Sequence, residues 1–425
     1  MSRTRRRVGS RPVDASAPPP SADPTAWRLV RAAAAHGLAG GPEPVSPSPD
    51  DDLGWSRAVR LAEQQRVVGL LAAAVADGAV EVSDRQLDRL AETHEAWCAH
   101  DLRLERTLLH AADALDAAAL PFLVIKGPAL AHRWYADPAH RLFGDLDLVV
   151  PSGRVREASA VLADVLGTSP PPELRPGFDE RFGKETLLRS PPSPASPAGI
   201  ELDVHRTPIA GALGLAIPLE ELFESPGEVL VGGRALPTPG PVPTLLLACY
   251  QATIADLPPR LIASRDVVQV MTMAGSPSAA EVVAAAARWQ ASALVAEAIS
   301  SAPIRLGLAT DPSRRGPLDD WAHGYRPTAR ERLLLAAHRG PGHVYWRQLA
   351  GVVVLSGSGP RAAYLRALVV PQASYLTERR WKRRGHVRRG WRTLTGPVRH
   401  RVVAGGRRAA RRIRPRHGSK AEPRA

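Results

Sequence analysis

This sequence is short of cysteine, aromatic residues and long apolar runs, and each shortage narrows what the chain can be. The two cysteines, Cys98 and Cys249, stand far apart in helical patterns, so neither a disulfide framework nor a zinc site is indicated, and a reducing, cytoplasmic setting is expected. Aromatics make up only 5% while alanine and leucine dominate, which favours helix outside a short sheet. No segment approaches the roughly 20 apolar residues of a spanning helix. The arginine-rich N-terminus lacks the apolar core of a signal peptide, so no transmembrane segment is expected. The 44% hydrophobic content of 425 residues is ample for two or three buried cores.

Against this helical background, Gly144-Asp145-Leu146-Asp147-Leu148-Val149-Val150 places two carboxylates two residues apart at the start of a strand-type run. Alternate side chains of an extended chain share a face, with Cα atoms about 7 Å apart, so Asp145 and Asp147 point the same way. Leu146, Leu148 and the valines then supply the buried side and leave the acids facing a cleft. A solvated strand edge would carry the same pattern, so the neighbouring segments matter. Upstream, Phe122–Ile125 is a second short apolar run that stops at Lys126-Gly127-Pro128 and opens into a helix through Tyr135. Pro128 suits a first helical turn, and the N–H groups that follow make a site for anions. Downstream, Ile200–His205 is a third strand in which Glu201, Asp203 and His205 lie on one face, so a third carboxylate is available.

Strand, phosphate-friendly turn, helix, D-x-D strand and a later acidic strand is the order of the polymerase-β-like nucleotidyltransferases. The stretch resembles more specifically the bacterial uncharacterised nucleotidyltransferase family, through Lys126-Gly127, Tyr135, Arg141, Gly144-Asp145-Leu146-Asp147 and Asp203-Val204-His205. The resemblance covers about a hundred residues and continues weakly through Arg265-Asp266, while a histidine expected near Gln251 is missing. The Gly-Ser that usually begins the helix is replaced by Lys126-Gly127-Pro128, and Lys126 is the candidate to substitute for that serine as a point charge.

The resemblance implies transfer of a nucleoside monophosphate from a nucleoside triphosphate such as ATP to a small-molecule or protein acceptor, with pyrophosphate leaving. Such chemistry needs alignment and charge neutralisation more than covalent help. Two ions of Mg2+ (or Mn2+) about 3.5–4 Å apart supply both. The implied metal and catalytic set is Asp145, Asp147 and Asp203, with Glu201 the competitor of Asp203. Lys126, Gly127, Arg141 and His205 form the implied nucleotide-binding set. Arg141 is alternatively a clamp for the acids and His205 a structural hydrogen-bond partner, while His132 and Arg133 read as surface.

The expected fold class is α+β, with a small mixed β-sheet nucleotidyltransferase core, flanking helical regions and disordered basic tails. Residues 1–25 form a Pro-, Ser- and Arg-rich tail, 26–119 a helical region with Ser83 and Gln86 as a capping box, and 120–238 the catalytic core. A helix running from Arg154 through Leu166 and a Ser-Pro loop at 190–194 fall within that core. Residues 239–376 form a helical cap or accessory domain over the nucleotide cleft, and 377–425 a basic, Arg-rich tail.

From Arg379 to Ala425 there are 18 Lys and Arg against one acid, Glu422, a local net charge of +17. With +3 from residues 1–25, the formal total of +14 leaves −6 for the body of the chain. Such a tail can attract nucleic acid or an anionic surface, with Trp381 and Trp391 as stacking or interfacial groups. Two alternatives to a metal-dependent transferase therefore stand: a nucleic-acid-binding protein using the basic tail, and a catalytically inactive scaffold that retains the acids for structure.

Overall fold

The computed structural model describes residues 22–194, 196–309, 315–339 and 343–378. The N-terminal tail up to residue 21 and the basic tail from residue 379 onward lie outside the described residues.

Four helices come first: α1 (Pro24–Ala34), α2 (Asp52–Gln64), α3 (Val68–Ala76) and α4 (Asp84–Ala117). Asp23 begins α1 by accepting the N–H groups of Thr25 and Ala26 at 2.8 and 3.1 Å. At the start of α4 the Gln86 side chain accepts the Ser83 N–H at 3.1 Å, the return bond of the expected capping box. With 34 residues, α4 is about 51 Å long and can underlie a whole sheet.

The sheet segment follows: β1 (Leu123–Ile125), α5 (Gly127–Trp134), β2 (Leu146–Val149), α6 (Val155–Leu166), α7 (Phe178–Arg181), β3 (Glu185–Arg189) and β4 (Glu201–His205). The strand order is β1-β2-β4-β3, in which β2 and β4 are parallel and both outer pairs antiparallel. Parallel neighbours need a long crossover, and α6, which packs against α4, β3 and β4, lies on it. Strand β3 is an addition to the three strands expected from the sequence. So is a hairpin, β5 (Gly227–Val231) and β6 (Arg234–Thr238), reached through the short helices α8 (Ala212–Leu215) and α9 (Glu221–Glu224). Gly232 and Gly233 turn that hairpin with φ of 56° and 80°, the left-handed pair that a two-residue turn requires.

Alternation divides the sheet into two faces. Leu146, Leu148, Val150, Leu202 and Val204 are buried against Leu104, Leu108 and Leu115 of α4 and Leu162 of α6. Val149 departs from the expectation: it lies on the acid side, and with Leu123 and Ile125 it belongs to a second core. That core also holds α1–α3 and much of the later helical segment: α10 (Pro241–Tyr250), α11 (Leu261–Thr272), α12 (Ala279–Arg288), α13 (Ser292–Leu306), α14 (Pro317–Gly324) and α15 (Ala329–Arg339). The helical regions on either side of the sheet in sequence thus share one apolar interior. After α16 (His343–Val354), α17 (Ser358–Val369) docks on α7 through Tyr364, stacked on Phe178 at 6.1 Å and edge-on to Phe182 at 5.2 Å, and α18 (Ala373–Glu378) ends the described chain. The class is α+β, a small mixed sheet with helical flanks. Among the described residues, no helix is long and apolar enough to cross a membrane.

Candidate active site

Asp147 and Asp203 are direct register partners on the parallel strands β2 and β4, so their side chains rise side by side from one face of the sheet. His205, two residues beyond Asp203, brings Nε2 to 2.5 Å from Asp147 Oδ1. Asp147, Asp203 and His205 each offer one ligand atom within 4.8 Å of the others. Asp145 is not in that set, but it lines the same cleft and makes no hydrogen bond among the described residues. Glu201 is drawn into an ion pair with Arg189, its antiparallel partner on β3, so Asp203 and not Glu201 stands beside Asp147.

The environments of these acids differ sharply. Burial would raise the Asp147 pKa, but the charge of Lys126, whose Nζ donates to Asp147 Oδ1, and the hydrogen bond from His205 hold it well below the usual carboxylate range. Lys126 is itself held charged by Asp147 against the cost of its burial. Asp203 forms no ion pair among the described residues, and the charges of Lys184 and Lys126 only partly offset its burial. Burial, followed by the charges of Glu185 and Asp147, pushes its pKa up to about 8, and its Oδ1 is buried with no hydrogen-bond partner. Burial, then the nearby Lys126, lowers the His205 pKa, while its Nε2 faces Asp147 Oδ1 and its Nδ1 faces Glu185 Oε2 at 3.3 Å. A buried acid made reluctant to ionise by neighbouring acids is what an added cation would relieve.

Lys126, Asp145, Asp147 and Asp203 line a cavity of about 520 Å³, within the range of small-molecule sites, while His205 is buried behind Asp147. The sheet and the α5 turn form one wall. Residues before and within α10, the π-helical turn Gln251–Ala255, α11, and His338 and Arg347 of α15 and α16 line it as well.

The family model described as uncharacterised nucleotidyltransferase matches residues 51–307, more than half of the chain. The chain belongs to this nucleotidyltransferase family. An antigenic nucleotidyltransferase-like protein from Paracoccidioides brasiliensis is similar at 16% identity and a TM-score of 0.31, over 49% of this chain and 95% of that one. No curated protein matches.

The remaining residues singled out from the sequence divide into two groups. Lys126 sits at φ 57° and ψ −120°, a strained position for a side-chain-bearing residue. Its turn directs the ammonium to Asp147. Gly127 opens α5 so close to the strand entry that a Cβ there would lie 2.8 Å from Phe143 Cβ. Arg141, by contrast, gives Nε and Nη2 to the two oxygens of Asp266 at 2.8 and 2.9 Å and Nη1 to the Leu142 carbonyl at 2.9 Å. Tyr135 Oη donates to the same Asp266 at 2.8 Å. Tyr135, Arg141 and Asp266, distant in sequence, thus form one buried cluster that ties the end of α5 and the loop before β2 to α11. Arg265 turns the other way, donating to the carbonyls of Ala34 and His36 at the end of α1. His132 and Arg133, expected at the surface, are half-buried: His132 Nε2 lies 2.6 Å from Glu105 Oε1, and Arg133 lies against Gly227.

Two residues of the cleft escaped the sequence reading. Glu185 stands on β3 with Oε2 at 3.3 Å from His205 Nδ1, and no polar–apolar alternation in Glu185-Thr186-Leu187-Leu188 marks that strand. Arg66, between α2 and α3, enters from outside the sheet segment, and no local pattern marks it.

Proposed function

We propose that this chain transfers a nucleoside monophosphate from a nucleoside triphosphate to an acceptor oxygen or nitrogen, by a two-metal mechanism with Mg2+ or Mn2+. The observation that carries the reading is the in-register pair Asp147 and Asp203 facing the cleft, with the Asp203 Oδ1 buried and unpartnered. Asp145, Asp147 and Asp203 are the residues that would hold the ions. Their hard oxygens suit these cations, and the raised pKa of Asp203 fits a carboxylate that lacks its counter-charge. Bound there, such ions activate the attacking group and neutralise the triphosphate.

The chain's own residues perform the rest. Gly127 lets the start of α5 approach the phosphates, and Lys126 adds a charge beside Asp147. The acceptor attacks the α-phosphorus in line. The new bond forms as the bond to the bridging oxygen breaks and its electron pair leaves on pyrophosphate, while Asp203 receives the acceptor's proton. Arg141, committed to Asp266, acts chiefly by fixing the loop that presents Asp145. His205 orients Asp147.

The test is thermal melting of the full chain with each nucleoside triphosphate and Mg2+, beside an assay of pyrophosphate release. A rise of a few degrees is expected for the wild type. Asp203→Asn should fold as well as the wild type, since it replaces a carboxyl that forms no ion pair among the described residues. It should show no ligand-induced rise and release pyrophosphate at least ~100-fold more slowly. A wild-type melting temperature that no triphosphate moves, with either Mg2+ or Mn2+, defeats the proposal.

A further inference from the structure

We infer that Arg66 is the seat of the nucleotide's polyphosphate, a binding residue supplied by the N-terminal helices and not by the sheet. This assignment rests on the nucleotidyltransferase reading above. Of the cations around the acid pair, Lys126 and Arg141 are already committed to Asp147 and Asp266. Arg66 is not: its Nη1 is buried with no hydrogen-bond partner, and its guanidinium forms no ion pair among the described residues. It lines the cleft near Asp145 and Arg260, whose like charge repels it.

The surroundings hold this guanidinium in place. Gln65 clamps the loop between α2 and α3 onto the start of α11, its side chain accepting the Leu261 N–H at 3.0 Å and its carbonyl the Ile262 N–H at 3.3 Å. The backbone of Arg66 takes φ 58°, a conformation glycine adopts more easily. The guanidinium lies over the Trp97 ring at 4.6 Å, and Trp97 is pinned by its Nε1–H bond to Glu63 at 3.2 Å. Gly144 also lies against it, where a Cβ would be 2.5 Å from Arg66 Nη1. The residue before Asp145 is therefore glycine for a reason outside its own strand: any side chain there would displace Arg66. A fixed planar fork with an unused N–H, beside an acid of the implied metal set, matches the oxygens of a phosphate chain.

The experiment is calorimetric titration of the full chain with inorganic tripolyphosphate and Mg2+, with a nucleoside lacking phosphate as control. Arg66→Gly suits the positive φ of the backbone and removes the whole side chain, guanidinium included. It should weaken tripolyphosphate binding about tenfold or more while nucleoside binding stays as in the wild type. Gly144→Ala should weaken tripolyphosphate binding in the wild-type background and cause no further loss when combined with Arg66→Gly, because both act on one contact. Should Arg66→Gly fail to fold, Gly144→Ala decides alone, since it leaves every charge in place. Wild-type affinity for tripolyphosphate in Arg66→Gly, or in Gly144→Ala, overturns the assignment and leaves the nucleotidyltransferase reading standing. A folded wild type that binds no triphosphate at all overturns both.

Discussion

Asp101 lies inside α4 with its carboxylate accepting the Phe143 N–H at 3.2 Å, so a helix beneath the sheet holds the chain two residues before Asp145. The residue is buried. That burial outweighs the hydrogen bond from Phe143 and the charges of Arg141 and Arg66, and pushes its pKa up to about 8. The folded state therefore binds a proton that the unfolded state has lost above about pH 4. Stability should fall as pH rises between about 4 and 8, by at most ~1.4 kcal/mol per pH unit from this group, and level off above. Asp101→Asn keeps an oxygen for the Phe143 N–H and removes the titration. Urea unfolding from pH 5 to 8 should show a shallower decline in the variant; equal slopes would mean that Asp101 ionises normally in the folded protein.

At the scale of elements, the site depends on how closely the α5 turn is set against the entry to β2. Gly127→Ala would press its Cβ on Phe143 Cβ and Cγ, both buried, with no flexible chain end to yield. The expected outcome is a loss of about 1–3 kcal/mol in chemical denaturation, with the triphosphate-induced melting shift reduced as α5 moves from the acids. An alanine variant with unchanged stability and ligand response would show that this approach is not required. The β1-turn-α5-β2 unit and β4 were legible because each is written locally: a short apolar run, a proline in the first helical turn, acids at a spacing of two. Strand β3 was not, because Glu185–Arg189 becomes a strand by pairing with β4 across a 190–200 loop, a non-local event. The β5-β6 hairpin did carry a local signal in Gly232-Gly233, but its strands are short and mix apolar with charged residues. The same distinction holds among site residues. Asp147, Asp203 and His205 could be read from strand alternation, and Asp145, in the bend just before β2, from its spacing of two from Asp147. The commitment of Arg141 to Asp266, the entry of Arg66 and the nearness of Glu185 to His205 arise from contacts between elements far apart in the chain.

Across the whole molecule, charge is divided between the body and its ends. Residues 26–378 carry a net charge of −6, so the positive balance of the whole chain comes from its two ends. The 18 Lys and Arg beyond Glu378 have the composition that suits a polyanion such as nucleic acid. If six to ten of them meet phosphates of a nucleic acid, affinity should fall about 10³–10⁵-fold between 50 and 200 mM salt through loss of counterion release. A chain truncated after Glu378 should lose this binding and keep the melting shift produced by triphosphate and Mg2+. Anisotropy of a labelled oligonucleotide across a salt series, run beside melting of both proteins, separates the two activities. Salt-independent binding, or binding that survives truncation, would place nucleic-acid recognition in the body of the chain. A melting shift lost on truncation would instead make the tail part of the nucleotide site.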